Sequence, residues 1–139
     1  MKVTLSDAAR RYIGLFDEIA AVSAKDCLVE EDRLVVLVPA GKMGRAIGPD
    51  GRTVRRFEEK VDRPVELVED ADTPEAFVAN ALAPAAVRHV TVSEQNDRVA
   101  YVEVAEADRG VAIGKGGSNI ETARALARRH HDIDDVQLT

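Results

Sequence analysis

Ala112-Ile113-Gly114-Lys115-Gly116-Gly117-Ser118-Asn119-Ile120 has an earlier counterpart in Ala46-Ile47-Gly48-Pro49-Asp50-Gly51-Arg52-Thr53-Val54. Both stretches run from an apolar residue through Gly-x-x-Gly into an amphipathic helical pattern, and Gly114 lies 66 positions after Gly48. A repeat at about half the chain length points to two small units of one plan. Glycine at both ends of such a loop permits backbone angles that other residues resist, so a sugar-phosphate chain can lie against the main chain. The helix that follows offers its unpaired first-turn N–H groups to anions. Against this stands the plain alternative of a tight turn joining two helices. Recurrence of the loop between helical segments favours the first reading.

Working outward, each loop sits in the same order of elements. In the first half, Leu5, Ala8, Ala9, Tyr12, Phe16 and Ile19 recur at helical spacing, and Thr4 with Asp7 reads as a capping box. The spacing predicts a helix over residues 5–22. A hairpin follows, with strands over 27–29 and 34–38 and Pro39 as its stop. A helical turn over 42–47 leads into the loop. Beyond it Val54, Phe57 and Val61 mark an inward stripe, and Pro64 to Val68 alternates as a closing strand. The second half repeats this order. Thr73-Pro74-Glu75 opens a helix that Pro84 ends. Strands over 87–92 and 99–104 flank the turn Glu94 to Asp97. Asp108 to Ile113 then enters the second loop, Ile120, Ala123 and Ala127 carry the stripe, and Val136 to Leu138 closes the chain. The acidic stretch Glu69 to Asp72 places the boundary between a unit at 1–70 and another at 71–139.

The 139 residues carry 45% apolar and 4% aromatic side chains, so aliphatic residues must fill the cores. Net charge is −6, but basic residues gather at the loops: Lys42, Arg45, Arg52, Arg55 and Arg56 at the first, and Arg109, Lys115, Arg124, Arg128 and Arg129 at the second. Acids collect in the linker and at strand ends. Lysine is scarce beside arginine, 5 against 14, and with the acidic excess this suggests a surface suited to high salt. The single cysteine, Cys27, lies in an apolar run and reads as a small core residue. No signal peptide or membrane-length apolar run is evident, so the expected location is cytoplasmic, with no membrane partner.

The order helix, strand, strand, helix, Gly-x-x-Gly, helix, strand resembles the KH domain of the second topological type, twice in tandem. The implied fold class is α+β, with helices packed on a three-stranded sheet in each unit. The run Phe77-Val78-Ala79-Asn80-Ala81-Leu82-Ala83-Pro84-Ala85, taken with the second loop, is similar to the second KH unit of the NusA family. The resemblance extends over essentially the whole chain and leaves no room for an S1 domain in front, as in the archaeal NusA-like factors.

The family implies single-stranded RNA as partner, with RNA polymerase or other transcription factors beside it, in elongation or termination. The loop would clamp about four nucleotides of backbone. By position, Gly48, Gly51, Gly114 and Gly117 would let the strand approach, Lys115 would neutralise phosphate, and Ile47 and Ile113 would anchor the loops in the core. Pro49, Asp50, Arg52 and Gly116 complete the loop surfaces, and Ser118 and Asn119 are candidate polar contacts, with Arg124 and Arg128 further out. Asp50 departs from the pattern by setting a carboxylate where phosphate would come, which makes the second unit the stronger expected site. A scaffold that docks on RNA polymerase with little RNA affinity is the alternative.

Gly110 to Gly116 is one residue short of a phosphate-binding P-loop and no Ser or Thr follows Lys115 directly, so an NTPase is not indicated. His130 and His131 with Asp132 read as a helix end rather than a metal site, because adjacent side chains on a helix point apart. No catalytic set, metal, cofactor or small-molecule substrate is expected.

Overall fold

The structure, a computed structural model, describes residues 3–139. Its contacts divide the chain into compact units at Thr4–Asp70 and Ala71–Thr139.

In the first unit the elements are α1 (Asp7–Ala20), β1 (Asp26–Val29), β2 (Leu34–Val38), α2 (Met43–Ile47), α3 (Arg52–Val61) and β3 (Val65–Glu69). The cap of α1 is Ser6, whose Oγ accepts from the Ala9 N–H at 3.1 Å. The N-cap position thus falls at Ser6, two residues after the expected Thr4. Strand β1 pairs antiparallel with β2, from Asp26 opposite Leu37 to Val29 opposite Leu34. Strand β3 joins β2 in parallel, Leu34 opposite Val65 and Val38 opposite Glu69. Parallel pairing requires a crossover, and the α2–loop–α3 segment supplies it. The loop is thus fixed at both ends by the sheet. Central β2 is buried along its whole length, which explains its unbroken Leu-Val-Val-Leu-Val run. Leu34, Val36 and Val38 join Phe16 and Phe57 in one cluster, where the two rings meet edge-on at 5.0 Å and 80°.

The second unit repeats the plan with α4 (Pro74–Ala81), β4 (Val87–Ser93), β5 (Val99–Val104), α5 (Arg109–Ile113), α6 (Ser118–His131) and β6 (Asp135–Leu138). Thr73 caps α4 by accepting from Ala76 N–H at 3.2 Å, with Pro74 at the first helical position. Strands β4 and β5 are antiparallel, with an irregularity between Val87 and His89, and β6 adds to β5 in parallel. Phe77, Leu82, Val102, Ala123, Leu126 and Val136 are buried. At its C-terminal end α6 packs on Phe77 through both histidines, His131 with its ring centroid at 4.6 Å and His130 at 5.8 Å. His131 Nε2 also lies 3.1 Å from the Ala71 carbonyl, which ties the start of the unit to the end of α6.

Both units are therefore α+β, with the same strand order and a Gly-x-x-Gly turn at the same place in each. No helix among the described residues is long and apolar enough to cross a membrane.

Candidate nucleic-acid interface

The two loops share one backbone conformation, residue by residue. Gly48 and Gly114 have φ/ψ of 75°/174° and 77°/169°. Asp50 and Gly116 both enter the left-handed region, at 54°/27° and 63°/19°. Gly51 and Gly117 follow at 73°/14° and 80°/12°. The hydrogen bonds match as well. Gly48 N–H donates to the Gly44 carbonyl at 2.9 Å and Gly51 N–H to the Gly48 carbonyl at 3.1 Å. Gly114 to Gly110 and Gly117 to Gly114 repeat both lengths. Each loop is one short 3-10 turn, Pro49–Gly51 or Lys115–Gly117, wedged between two helices.

The two glycines of each motif serve different ends. A Cβ on Gly48 would stand 2.1 Å from Thr53 Oγ1 and 2.9 Å from Thr53 N, and one on Gly114 would stand 2.7 Å from Asn119 Cγ and 2.8 Å from Asn119 N. The first glycine thus lets the chain approach itself. Gly116 and Gly117, by contrast, have nothing within 4 Å of a Cβ, and Gly51 meets only the Arg55 guanidinium, Nη1 at 3.1 Å. The outer half of the loop is open surface. Beyond it, α3 and α6 follow Gly51 and Gly117, cap residues that make no side-chain hydrogen bond to the first-turn N–H groups.

Asn119 buttresses the second loop, its Nδ2 donating to the Val111 carbonyl at 2.8 Å. That amide holds α5 to α6 and is not a spare donor. Ser118 opens α6 beside it. Ile47 and Ile113 are both 40% exposed, so neither anchors its loop in the core. That place belongs to Ala46 and Ala112, which are fully buried. Helices α2 and α5 have only five residues each, and the face that turns inward holds one small side chain. The isoleucines, with Val111 at 43% exposure, form an apolar margin beside the glycines that the expected core anchors had concealed.

The arginines of α6 are engaged within the protein. Arg124 pairs with Glu121, and its Nε reaches Asp135 Oδ1 at 2.8 Å and the Val136 carbonyl at 3.1 Å. Arg128 donates to the Asp134 carbonyl at 3.0 Å, and Arg109 to the Thr139 carbonyl at 2.7 Å. Arg124 and Arg128 therefore fasten α6 to β6 and the turn before it. Asp135 is held below its ordinary carboxyl value, first by the Gln137 side-chain hydrogen bond and then by Val136 N–H and Arg124, against a raising effect of burial. Lys115 is exposed, and among the described residues it forms no ion pair. Cys27 is buried in β1, and desolvation, reinforced by Asp26, pushes its thiol up to about 11.

Two three-stranded units, each with a helix–Gly-x-x-Gly–helix crossover, define a tandem KH protein. The sequence profile of the NusA-like second KH domain matches residues 74–138, and that of the KH domain matches 10–72. Among relatives, the probable transcription termination protein NusA of Halococcus morrhuae is 59% identical over 138 residues, 99% of either chain. That of Halobacterium salinarum is 57% identical over the full length of both. In Methanocaldococcus jannaschii the protein of that name is 32% identical over 99% of this chain and 75% of its own. The crystal structure of APE1850 superposes with a TM-score of 0.83 at 33% identity, over 97% of this chain and all of that one. The chain belongs to the archaeal NusA family.

Proposed function

We propose that this protein is an RNA-binding transcription termination factor that engages nascent single-stranded RNA through its Gly-x-x-Gly loops, chiefly that of the second unit. The observation that carries the reading is the open outer half of the second loop. Gly116 and Gly117 leave the main chain bare, Lys115 is an exposed cation beside them, and the uncapped start of α6 adds N–H groups for phosphate oxygens. Val111 and Ile113 offer an apolar edge on which bases can rest once the backbone is held.

In the first unit the same frame holds Pro49 and Asp50 in place of Lys115 and Gly116, so a carboxylate faces the approaching strand. Gly51 and Arg52 border it. The NusA names of the relatives support the place in transcription, as does the match of the second unit to the NusA-like KH profile. No reaction is part of this role.

The test is titration of labelled single-stranded RNA with the wild type and with Lys115→Asp/Gly116→Asp, followed by selection of bound RNAs from a random pool. The expected result is loss of binding in the double variant with a nearly unchanged circular-dichroism melt. Retained affinity would exclude the second loop as the site. Absence of RNA binding by the wild type would favour the scaffold reading, in which the domains dock on RNA polymerase.

A further inference from the structure

Strand β4 is the longest strand among the described residues, and one of its sides is free. It lies at the edge of its sheet and runs seven residues, against four for its counterpart β1 and four for the opposite edge β6. Edge strands commonly avoid foreign pairing by being short or charged. The run Val90-Thr91-Val92-Ser93 carries no charge and no proline. Among the described residues, no hydrogen bond outside the ladder with β5 engages residues 87–93. The outer row of N–H and C=O groups is therefore open to another strand.

The side chains along this edge are self-complementary. The register slip between Val87 and His89 leaves Arg88 without a partner on β5. Arg88 is exposed, forms no ion pair among the described residues, and lines an open groove between β4 and α4 with Ala76, Ala79, Val87 and Val90. Beyond the other end of the strand, the Glu94 side chain is 65% exposed and gives one carboxylate oxygen, Oε1, to Arg98 Nε at 2.8 Å. Its second oxygen can accept from another guanidinium. When a second copy lies antiparallel to β4 with Thr91 opposite Thr91, Val90 falls opposite Val92 and Arg88 opposite Glu94, each twice by symmetry. Val90 and Val92, across from buried Val102 and Ala100, share one face of the sheet, as cross-strand partners must. A shift of two residues either way sets Arg88 against Val92 or Asn96, so charge selects the first register.

We propose that β4 is a self-association surface, through which two copies join their second-unit sheets edge to edge. Such an isologous pairing uses the same patch on both copies and closes at the dimer. The groove beside Ala76 and Ala79 leaves space on the helix side for the incoming valines. The second Gly-x-x-Gly loop lies in the crossover from β5 to β6, which does not border this edge, so it stays clear in both copies. The inference is independent of the RNA-binding reading above.

Sedimentation velocity and light scattering on the full chain, over a wide range of protein concentration at one fixed salt concentration, test it. The wild type is expected to shift from 15.1 kDa toward twice that mass as concentration rises. Thr91→Lys, at an exposed position, sets like charges against each other on the two-fold axis and should leave a monomer with an unchanged melt. Arg88→Glu and Glu94→Arg should each weaken association by about 10-fold, since either turns two attractive pairs into repulsive ones, and the double exchange should restore it. That restoration separates the pairing from any effect of losing the contact between Glu94 and Arg98. A wild type that remains monomeric at every concentration overturns the proposal and leaves the edge to a strand from a different protein. A dimer left intact by Thr91→Lys and by both single exchanges overturns it as well, by placing the contact elsewhere.

Discussion

Replacing Gly114 by alanine should destabilise the second unit far more than the same change at Gly117. At Gly114 the new Cβ falls 2.7 Å from Asn119 Cγ and 2.8 Å from the Asn119 backbone nitrogen. Rotating the Asn119 side chain relieves the first contact but not the second, because that nitrogen belongs to the first turn of α6. Relief requires the turn to shift, which breaks the bond from Asn119 Nδ2 to the Val111 carbonyl at a cost of about 1 kcal/mol. The φ/ψ of 77°/169° adds about 2 kcal/mol, since that region is nearly closed to residues with a side chain. Gly117, at 80°/12° with open space around it, costs only the left-handed penalty of about 1 kcal/mol. The gap of about 2 kcal/mol or more corresponds to a difference in melting temperature of about 10 °C for a unit of this size. Urea or thermal denaturation followed by circular dichroism reads it directly. Equal destabilisation by the two alanines would refute the claim that the first glycine serves the chain's approach to itself.

Other expectations are narrower. Asp50→Asn keeps a residue tolerant of the left-handed conformation while removing one negative charge, so RNA affinity should rise by roughly 3-fold, as Coulomb attenuation in water suggests; an unchanged affinity would place the strand away from this loop. Because the Asp135 carboxyl sits below its ordinary value in the fold, its stabilising contribution is fully present above the unfolded value near 3.8 and is lost as pH falls through the lower folded value. Asp135→Asn should accordingly lower the melting point at neutral pH, with the deficit shrinking in strong acid; a deficit constant with pH would count against the Gln137, Val136 and Arg124 contacts as its cause. With 25 acidic against 19 basic residues, stability should increase from dilute buffer to high salt, and a melting point that does not move with salt would remove the high-salt reading of the surface.

The order of elements could be read from the chain because local patterns agreed with one another. Helix caps, apolar spacing, proline stops and the doubled loop all pointed to the same succession, and the observed elements follow it to within a few residues. What the chain concealed depends on distances that spacing does not express. Arg124 and Arg128 look like cations available to a ligand until the fold brings Asp135, Val136 and the Asp134 carbonyl to them. The resemblance placed Ile47 and Ile113 in the core, yet in a five-residue helix flanked by glycine the small Ala46 and Ala112 take that place. A clue was present in Val111-Ala112-Ile113, where three apolar residues in succession cannot all face inward on a helix. The packing of Phe77 against His130 and His131 was hidden because the histidines were read as charges at a helix end.

That Asp50 and Gly116 take nearly the same left-handed angles in otherwise matching turns separates the shape of the crossover from its chemistry. Because the curvature is enforced by Gly48 against Thr53 and by Gly114 against Asn119, the two residues at the tip carry little responsibility for it. One half can thus change the sign of its tip without remaking its skeleton, and a protein engineer can exchange tips between the halves on the same grounds.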